Sequence, residues 1–367
     1  MNSGKPNPGN YLKGRGTSAN PVNRFERIAF EADRLEPESS RTLYLRDASK
    51  SAISRNDSPD VGFDFSINPY RGCEHGCIYC YARPTHEYLG FSAGLDFETR
   101  ILVKEELPEL LRKELSSKKW SPSPVALSGV TDPYQPVEQR LEITRRCLEV
   151  LLEFRNPVVI VTKSHRITRD IDILRELAAF QAVLVNISVT SLRNEIQSAM
   201  EPRTSTPQRR LEAIQELAAA GIPVRVLIGP VIPGLTEHEI PAILEAAASA
   251  GARSAGFIML RLPYGVKELF QDWLEVHFPD RKERVLNRIR DIRQGSLNDT
   301  QFHSRMRGAG LYAEQIQRLF EVASSRFGLD AELPPLSVAS FRRPVNDPQL
   351  SLFDQDDPDH PGQESQN

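Results

Sequence analysis

The chain has 367 residues, of which 46 are Lys or Arg and 49 are Asp or Glu, so its net charge is −3. This near balance excludes a uniformly basic nucleic-acid coat protein and a strongly acidic disordered protein. Hydrophobic residues make up 40% of the sequence, and no apolar run approaches the ~18 residues of a membrane-spanning helix. Because the N-terminus also lacks the apolar run of a secretory signal peptide, we expect a cytoplasmic protein.

Both ends of the chain predict irregular structure. Residues 1–60 are rich in Gly, Pro, Ser, Asn and Arg and contain turn-forming pieces such as GRGTSANP. We therefore expect an irregular arm that drapes over the domain. Residues 345–367 hold six acidic side chains and no Lys or Arg. This composition predicts a disordered acidic tail.

Between these ends, strand-like and helix-like segments alternate. The strand candidates are short and rich in Val and Ile, as strands buried on both faces are: 63–67, 125–128, 158–162, 183–189, 224–228 and 256–260. Helical patterns cover 104–115, 137–154, 168–180, 207–220 and 237–250. Six βα units predict a parallel α/β sheet over residues 61–265, as a partial barrel or an open doubly wound sheet. In both folds, functional groups collect at the carboxyl ends of the strands.

Residues 266–344 have helical patterns and are more basic than the rest. Positions 281–307 hold eight Lys or Arg and three Asp or Glu. Helical periodicity predicts four inward-facing residues: Val285, Leu286, Ile289 and Ile292. Two interpretations of the basic side chains stay open: a solvated helix face, or a phosphate-binding face formed by Arg284, Arg288 and Arg305.

Three of the four cysteines lie within eight positions, in the segment NPYRGCEHGCIYCYARP. Cys73, Cys77 and Cys80 form a Cys-x3-Cys-x2-Cys motif directly after the first predicted strand. Thiolates are soft ligands for zinc, copper(I) and iron–sulfur centres. A structural zinc has four protein ligands and would need His75 or His86 in addition. Three thiolates on a [4Fe–4S] cluster leave one iron open for another ligand, and the motif favours this assignment.

This motif, followed by six βα units, resembles the radical S-adenosylmethionine (SAM) superfamily, and within it the DNA-repair-photolyase-like branch related to spore photoproduct lyase. The resemblance is carried by NPYRGCEHGCIYCYARPTHEYLG, SGVTDPYQPVE and TKSHRITRDIDIL and covers residues 62–262. It implies a partial (β/α)6 barrel with a [4Fe–4S] cluster on the three cysteines. It also implies that SAM binds the open iron. After one-electron reduction by a flavodoxin- or ferredoxin-type partner, SAM would yield a 5′-deoxyadenosyl radical that abstracts a substrate hydrogen.

The resemblance also assigns contacts to SAM. Tyr79 matches the aromatic residue beside the adenine, and Lys163 matches a lysine that pairs with the cofactor carboxylate in the photoproduct lyase branch. Ser188 matches a position near the ribose and methionine, and Glu201 and Arg203 follow on the same loop. Four residues at the end of the second predicted strand match groups that orient the cofactor ammonium: Ser128, Gly129, Thr131 and Asp132.

One position departs from the photoproduct lyase pattern. That branch has a cysteine near the end of the second strand that returns a hydrogen atom to the product, and our alignment places Gly129 there. The dimer-repair reaction of the photoproduct lyase branch therefore cannot be assigned to this chain. Three tyrosines are the candidate hydrogen donors: Tyr70, Tyr81 and Tyr134. The fourth cysteine, Cys147, lies on an amphipathic helical pattern, so we expect it to pack in the core.

Three functions stay open at this point. The first is a radical SAM enzyme that acts on nucleic acid, which the basic segment 281–307 favours and the near-neutral total charge opposes. The second is a radical SAM enzyme that modifies a peptide or a small metabolite. The third is a zinc-stabilised binding module without catalysis, in which the βα frame is only a scaffold.

Overall fold

The computed structural model describes residues 12–25 and 41–344. Within these ranges the strands are β1 (Leu43–Arg46), β2 (Ile53–Arg55), β3 (Phe65–Ile67), β4 (Tyr70–Arg71), β5 (Arg100–Val103), β6 (Val125–Leu127), β7 (Val158–Thr162), β8 (Val183–Ser188), β9 (Val224–Val231) and β10 (Ser254–Met259). The main sheet has the order β2-β3-β6-β7-β8-β9-β10, and β1, β5 and β4 form a second, smaller sheet.

The α-helices of the same ranges are α1 (Leu95–Thr99), α2 (Leu107–Ser116), α3 (Glu138–Leu141), α4 (Ile143–Phe154), α5 (Ile171–Ala179), α6 (Asn194–Met200), α7 (Pro207–Ala219), α8 (Ile240–Ser249), α9 (Val266–His277), α10 (Lys282–Ile292), α11 (Ser304–Arg307) and α12 (Leu311–Arg326). Four short 3-10 helices accompany them: Arg83–Leu89, His165–Asp170, Glu237–Glu239 and Pro279–Arg281.

Six neighbouring strands of the main sheet, β3 and β6 to β10, are parallel and follow chain order. They coincide with the six predicted strands to within a few residues. The ladder ends at β10 on one side and at the antiparallel β2 on the other, so the described sheet does not close on itself. The predicted partial (β/α)6 barrel is therefore confirmed. Cys147 is fully buried in the main hydrophobic core of the barrel, as predicted.

One predicted helix, 137–154, is two helices in the structure. Glu142 separates α3 from α4 and has a left-handed backbone with φ 50°. The buried carboxylate of Glu138 accepts hydrogen bonds from the backbone N–H of Thr144 at 3.1 Å. This carboxylate therefore supplies an acceptor for the first turn of α4, where backbone N–H groups have no partner within the helix.

The N-terminal arm contains regular structure that its composition does not predict. β1 pairs in parallel with β5, and β2 pairs antiparallel with β3. This corrects the expectation that residues 1–60 are irregular throughout. Both strands are three or four residues long, too short to show an alternating pattern, and hydrogen bonds to an existing sheet edge stabilise them.

The C-terminal extension is helical from α9 to α12, and no helix or strand follows Arg326 in the described residues. The four apolar residues predicted to face inward from α10 are all buried. The predicted acidic tail, residues 345–367, lies outside the described residues. No helix in the described ranges is both long and apolar enough to cross a membrane.

Candidate active site

The cysteine motif lies on the loop after β3 and β4, at the carboxyl edge of the main sheet. Cys73 and Cys77 are buried, Cys80 is half-buried, and all three are free thiols. Cys80 packs against the apolar groups around both of the other cysteines. Burial raises the pKa of each thiol, so a bound cationic centre is needed to favour the thiolates. The loop thus brings three thiols to one place.

Two glycines let this loop fold tightly. Gly72 and Gly76 have left-handed φ angles of 81° and 67°. A Cβ on Gly76 would lie 2.6 Å from Oε2 of Glu98. A Cβ on Gly72 would lie 3.0 Å from the carbonyl oxygens of Arg100 and Phe97. A side chain at either position would push the loop away from the chain beneath it.

The guanidinium of Arg83 donates hydrogen bonds to carbonyl groups of the cysteine loop. Its Nε donates to the Cys77 oxygen at 3.0 Å and its Nη2 to the Gly76 oxygen at 3.2 Å. Nη2 also forms an ion pair with Glu98 at 2.5 Å, and both side chains are completely buried. Glu98 in turn accepts a hydrogen bond from the backbone N–H of Gly16 at 2.9 Å. This buried pair connects the cysteine loop to the N-terminal arm.

The N-terminal arm passes directly over the cysteine loop, a contact that the sequence did not predict. A Cβ on Gly16 would lie 1.7 Å from the carbonyl oxygen of Gly76, so no other residue fits there. Arg15 is buried and donates to the Glu98 carbonyl at 2.9 Å and to Thr42 at 3.0 Å. Arg15 and Gly16 therefore help to support the cysteine loop.

Glu74, between the first two cysteines, joins three parts of the chain. Its buried carboxylate accepts hydrogen bonds from the hydroxyl of Tyr44 at 3.1 Å and the backbone N–H of Val137 at 3.0 Å. It also forms an ion pair with Arg203 at 3.2 Å. Arg203, predicted as a SAM contact, thus lies against the cysteine loop, with its guanidinium paired to this carboxylate.

Asp132 connects the ends of two strands to the cysteine loop. Oδ1 accepts from the Thr162 hydroxyl at 2.7 Å, and Oδ2 accepts from the Lys163 N–H at 2.8 Å and lies 3.3 Å from Nδ1 of His75. Burial alone would raise the pKa of Asp132, but His75, the Lys163 N–H and Thr162 together lower it to about 2. Both oxygens have donors from the protein, so Asp132 orients the loop ends.

The other residues predicted after the second strand lie at the same edge. Ser128 has a left-handed φ of 102°, a strained backbone for a residue with a side chain. A Cβ on Gly129 would lie 2.9 Å from Ser66, so this position stays small. Thr131 is buried and its hydroxyl donates to the Tyr70 carbonyl at 3.0 Å. The turn at Ser128 and Gly129 is half-buried, and the Gly129 carbonyl accepts a hydrogen bond from the Tyr81 hydroxyl.

Glu201 lies at the centre of a second buried network. Its carboxylate forms an ion pair with Arg210 and accepts hydrogen bonds from the hydroxyls of Tyr79 and Thr190. Burial would raise the pKa of Glu201, but Arg210, Lys163 and Tyr79 lower it. Arg210 also donates to the Ser188 carbonyl at 3.0 Å. The structure brings Tyr79, Ser188 and Glu201 together through Arg210 and Glu201, and Glu201 accepts a hydrogen bond from the Tyr79 hydroxyl.

Lys163 is the predicted SAM contact whose charged group stays available. Its Nζ lies 5.9 Å from the centroid of the Tyr79 ring, and its charge lowers the pKa of Cys77, Cys80 and Glu201 relative to burial alone. Across residues 12–25 and 41–344, the ammonium has no hydrogen-bond or ion-pair partner. A free ammonium beside the cysteine loop fits the carboxylate of an amino-acid ligand.

The three candidate tyrosines differ in their solvent exposure. Tyr70 and Tyr134 are fully buried, and their hydroxyls donate to Glu138 and Asp170. Tyr81 is 51% exposed and its hydroxyl donates to the Gly129 oxygen at 2.8 Å. Only Tyr81 of these three is open to a ligand at the cysteine loop.

The two histidines that zinc would require have other partners. Nδ1 of His75 faces Asp132, and Nε2 of His86 lies 3.0 Å from the Arg100 carbonyl oxygen. Burial lowers the pKa of His86 to about 4. Across the described ranges, no group of three or more His, Cys, Asp or Glu side chains, the motif cysteines included, converges on a single metal ion, as a zinc site requires. Three thiols without a fourth protein ligand match a cluster that keeps one iron open.

Several supporting residues were not predicted from the sequence: Arg83, Glu98, Glu74, Arg210 and Asp170. They are charged groups that are buried and paired with residues far along the chain. Arg83 and Glu74 could have been selected from the sequence as candidates, because both lie within three residues of the motif cysteines. Their partners are set by tertiary structure alone.

The comparisons with known proteins agree with this geometry. A profile of the Radical SAM superfamily matches residues 67–247, from the end of β3 to α8. An uncharacterised protein of Mycobacterium tuberculosis (strain ATCC 25618 / H37Rv) is 35% identical over 246 residues, 66% of this chain and 71% of the relative. The chain belongs to the radical SAM superfamily. As a radical SAM enzyme it uses a [4Fe–4S] cluster and SAM, and it requires an electron donor.

Two further relatives are named proteins. A radical SAM Nalpha-GlyT isomerase of Pseudomonas phage M6 is 26% identical over 185 residues, 50% of this chain and 36% of that protein. The structure of spore photoproduct lyase complexed with dinucleoside spore photoproduct has a TM-score of 0.56 and 16% identity, and the match covers 77% of this chain and 79% of that chain. This second likeness shows the fold of the radical SAM barrel.

Proposed function

We propose that this radical SAM enzyme acts on a nucleic-acid strand. When bound, SAM and a reduced cluster would supply the 5′-deoxyadenosyl radical needed for hydrogen abstraction from the substrate. Cys73, Cys77 and Cys80 would hold the cluster, and Lys163 and Tyr79 would bind the carboxylate and adenine of SAM. Asp132 and Glu201 act indirectly, because they orient the loop ends and Tyr79.

The observation that carries this proposal is an arginine at the mouth of the site. Arg261 follows β10, at the same sheet edge as the cysteine loop, and its guanidinium lies 5.7 Å from the centroid of the Tyr81 ring. Its Nε is buried without a hydrogen-bond partner, and no carboxylate of the described residues forms a salt bridge with it. Burial lowers the pKa of Arg261, and the like charge of Arg305 adds to this effect.

This pair of side chains has the chemistry of a nucleic-acid contact. A desolvated guanidinium without a counterion favours a phosphate, and an exposed aromatic ring beside it can stack a base. Arg284 and Arg288 are exposed on α10, and a Cβ on Gly234, after β9, would lie 3.3 Å from the Cα of Val285. Both arginines therefore belong to a helix that packs at the same edge of the sheet.

Arg305 does not belong to this surface. It forms an ion pair with the buried carboxylate of Asp60 and donates to Ser58 at 2.7 Å. The prediction that Arg305 contacts phosphate is therefore corrected, because its guanidinium is already paired with Asp60. Removal of Arg305 would leave Asp60 buried without a counterion.

Replacing Arg261, Arg284 and Arg288 by Ser together is expected to weaken nucleic-acid binding and its salt dependence. Each lost phosphate contact flattens the slope of log K against log salt by about 0.9, so the triple variant should lose about three units on duplex. Binding to duplex DNA, single-stranded DNA and tRNA at two salt concentrations measures this. A matched variant with three exposed arginines of other helices changed to Ser should keep the slope: Arg112, Arg209 and Arg326. Undetectable or salt-independent binding to all three probes would instead favour a peptide or a small metabolite.

Lys163→Ala is expected to weaken SAM binding about tenfold or more, because a charge-assisted hydrogen bond contributes about 1.5–3 kcal/mol. Calorimetry on anaerobic protein with its cluster assembled measures the affinity. Iron content should not change. The exposed Lys118 is the matched control, and its replacement by Ala should leave the affinity unchanged. An unaltered affinity in Lys163→Ala would place the ammonium outside the SAM site.

We further propose a flavodoxin- or ferredoxin-type reductant, a cytoplasmic location and a lyase-like reaction. The free thiols at the site support a reducing compartment, and the barrel shared with spore photoproduct lyase supports the reaction class. Dimer repair is not part of the proposal, because Gly129 stands where the photoproduct lyase branch has its cysteine.

A further inference from the structure

A cavity of about 800 Å³ lies at the opposite edge of the sheet from the cysteine loop. It opens where β8, β9 and β10 begin, and the far wall is formed by α12 and the chain after it, residues 329–336. Its volume falls within the range of small-molecule sites. Because radical SAM chemistry takes place at the carboxyl edge of the strands, this cavity is separate from the active site.

Arg225, the second residue of β9, lines the cavity with an uncompensated charge. Its Nη2 donates to the Ala255 carbonyl at 3.1 Å, and its Nε is buried with no partner. No carboxylate in residues 12–25 and 41–344 forms a salt bridge with it. A Cβ on Gly256 would lie 2.9 Å from Nη2, so the neighbouring strand leaves space for the guanidinium. Arg225 is half-buried, and a partly desolvated cation without a counterion favours a ligand anion that supplies one.

A second unsatisfied group belongs to a lining residue of the same cavity on another element. Ser324 on α12 is 2% exposed, and its hydroxyl has no hydrogen-bond partner. Buried hydroxyls in folded proteins nearly always have one. Arg225 and Ser324 come from two elements that line one cavity, and each has a polar atom without a partner, Nε in one case and the hydroxyl in the other. They indicate a polar ligand group that accepts hydrogen bonds.

The other walls define the rest of the ligand. Much of the lining is apolar: Leu184, Phe320, Leu333, Pro334, Pro335 and Leu336. Glu321, Asp330 and Glu332 line the cavity as exposed side chains, and their charges oppose a dianion such as a phosphate monoester. We propose that this cavity binds a small monocarboxylate with an apolar body, whose carboxylate pairs with Arg225 and Ser324. A planar guanidinium binds a planar carboxylate through two parallel hydrogen bonds.

The test uses octanoate as the probe. Octanol is the neutral comparison compound, and octyl phosphate is the dianionic one. Binding to the anaerobic, cluster-loaded full chain is measured by calorimetry and by ligand-observed NMR. Octanoate should saturate the protein and bind about tenfold or more tightly than either comparison compound. Arg225→Met should abolish this preference. Arg253→Met, which removes an exposed arginine just before β10, should leave it intact.

A second variant keeps the proposal testable if Arg225→Met does not fold. Ser325 is exposed and lines the cavity, so Ser325→Trp fills the space from its surface and should block octanoate. Iron content and SAM affinity should be unchanged in every variant, because the active site lies at the other edge. Equal binding of octanol, unchanged octanoate binding in Arg225→Met or Ser325→Trp, or no saturation below about 10 mM would overturn the proposal.

Discussion

Replacement of Arg83 by Met is expected to lower the free energy of unfolding by about 3–5 kcal/mol, because it leaves the carboxylate of Glu98 buried without its cation. Arg83 and Glu98 are both completely buried. The substitution also removes the donors to the carbonyl oxygens of Gly76 and Cys77. We therefore expect the cysteine loop to lose its conformation along with the stability.

Anaerobic urea unfolding measures the loss of stability, and iron content measures the loss of the loop. Arg112→Met is the matched control, since the Arg112–Glu153 ion pair is solvent-accessible and such pairs contribute at most about 1 kcal/mol. Adding Glu98→Gln to Arg83→Met should recover part of the stability, because the double variant has no unpaired charge. An Arg83 variant as stable as the Arg112 control would contradict the account of the buried pair.

Cys73→Ala, Cys77→Ala and Cys80→Ala should each abolish assembly of the [4Fe–4S] cluster. The histidines nearby do not supply a replacement ligand, because His75 faces Asp132 and His86 faces the Arg100 carbonyl. Iron analysis and the visible absorption of the anaerobically reconstituted protein measure the effect.

Cys147→Ala is the matched control for these variants. Cys147 is a fully buried thiol in the main core, away from the loop, so its replacement should reduce stability and leave the iron content unchanged. Full iron content in any of the three loop variants would show that another residue completes the site.

Local patterns in the sequence predict most of the fold. The six buried strands stand out as Val- and Ile-rich runs, and Cys73, Cys77 and Cys80 as a motif, because each depends on residues close together in the chain. Strands β1 and β2 did not stand out, because they form only by pairing with strands elsewhere.

The site was harder to predict, because its charged groups interact over long sequence distances. Asp132 and Glu201 were predicted as SAM contacts from their positions alone. The structure gives both carboxylates full sets of protein donors, from His75, Thr162 and Lys163 in one case and from Tyr79, Thr190 and Arg210 in the other. The packed fold determines which polar groups find hydrogen-bond partners within the protein. Lys163 remained available, and only the structure shows that.

The most direct test of the central claim is the cleavage of SAM by the protein alone. Anaerobically reconstituted protein with about four irons per chain is reduced with dithionite, mixed with SAM and analysed for 5′-deoxyadenosine by chromatography. We expect slow formation of 5′-deoxyadenosine without any substrate, and none from Cys80→Ala. A fully loaded, fully reduced protein that binds SAM and yields no 5′-deoxyadenosine would contradict this claim.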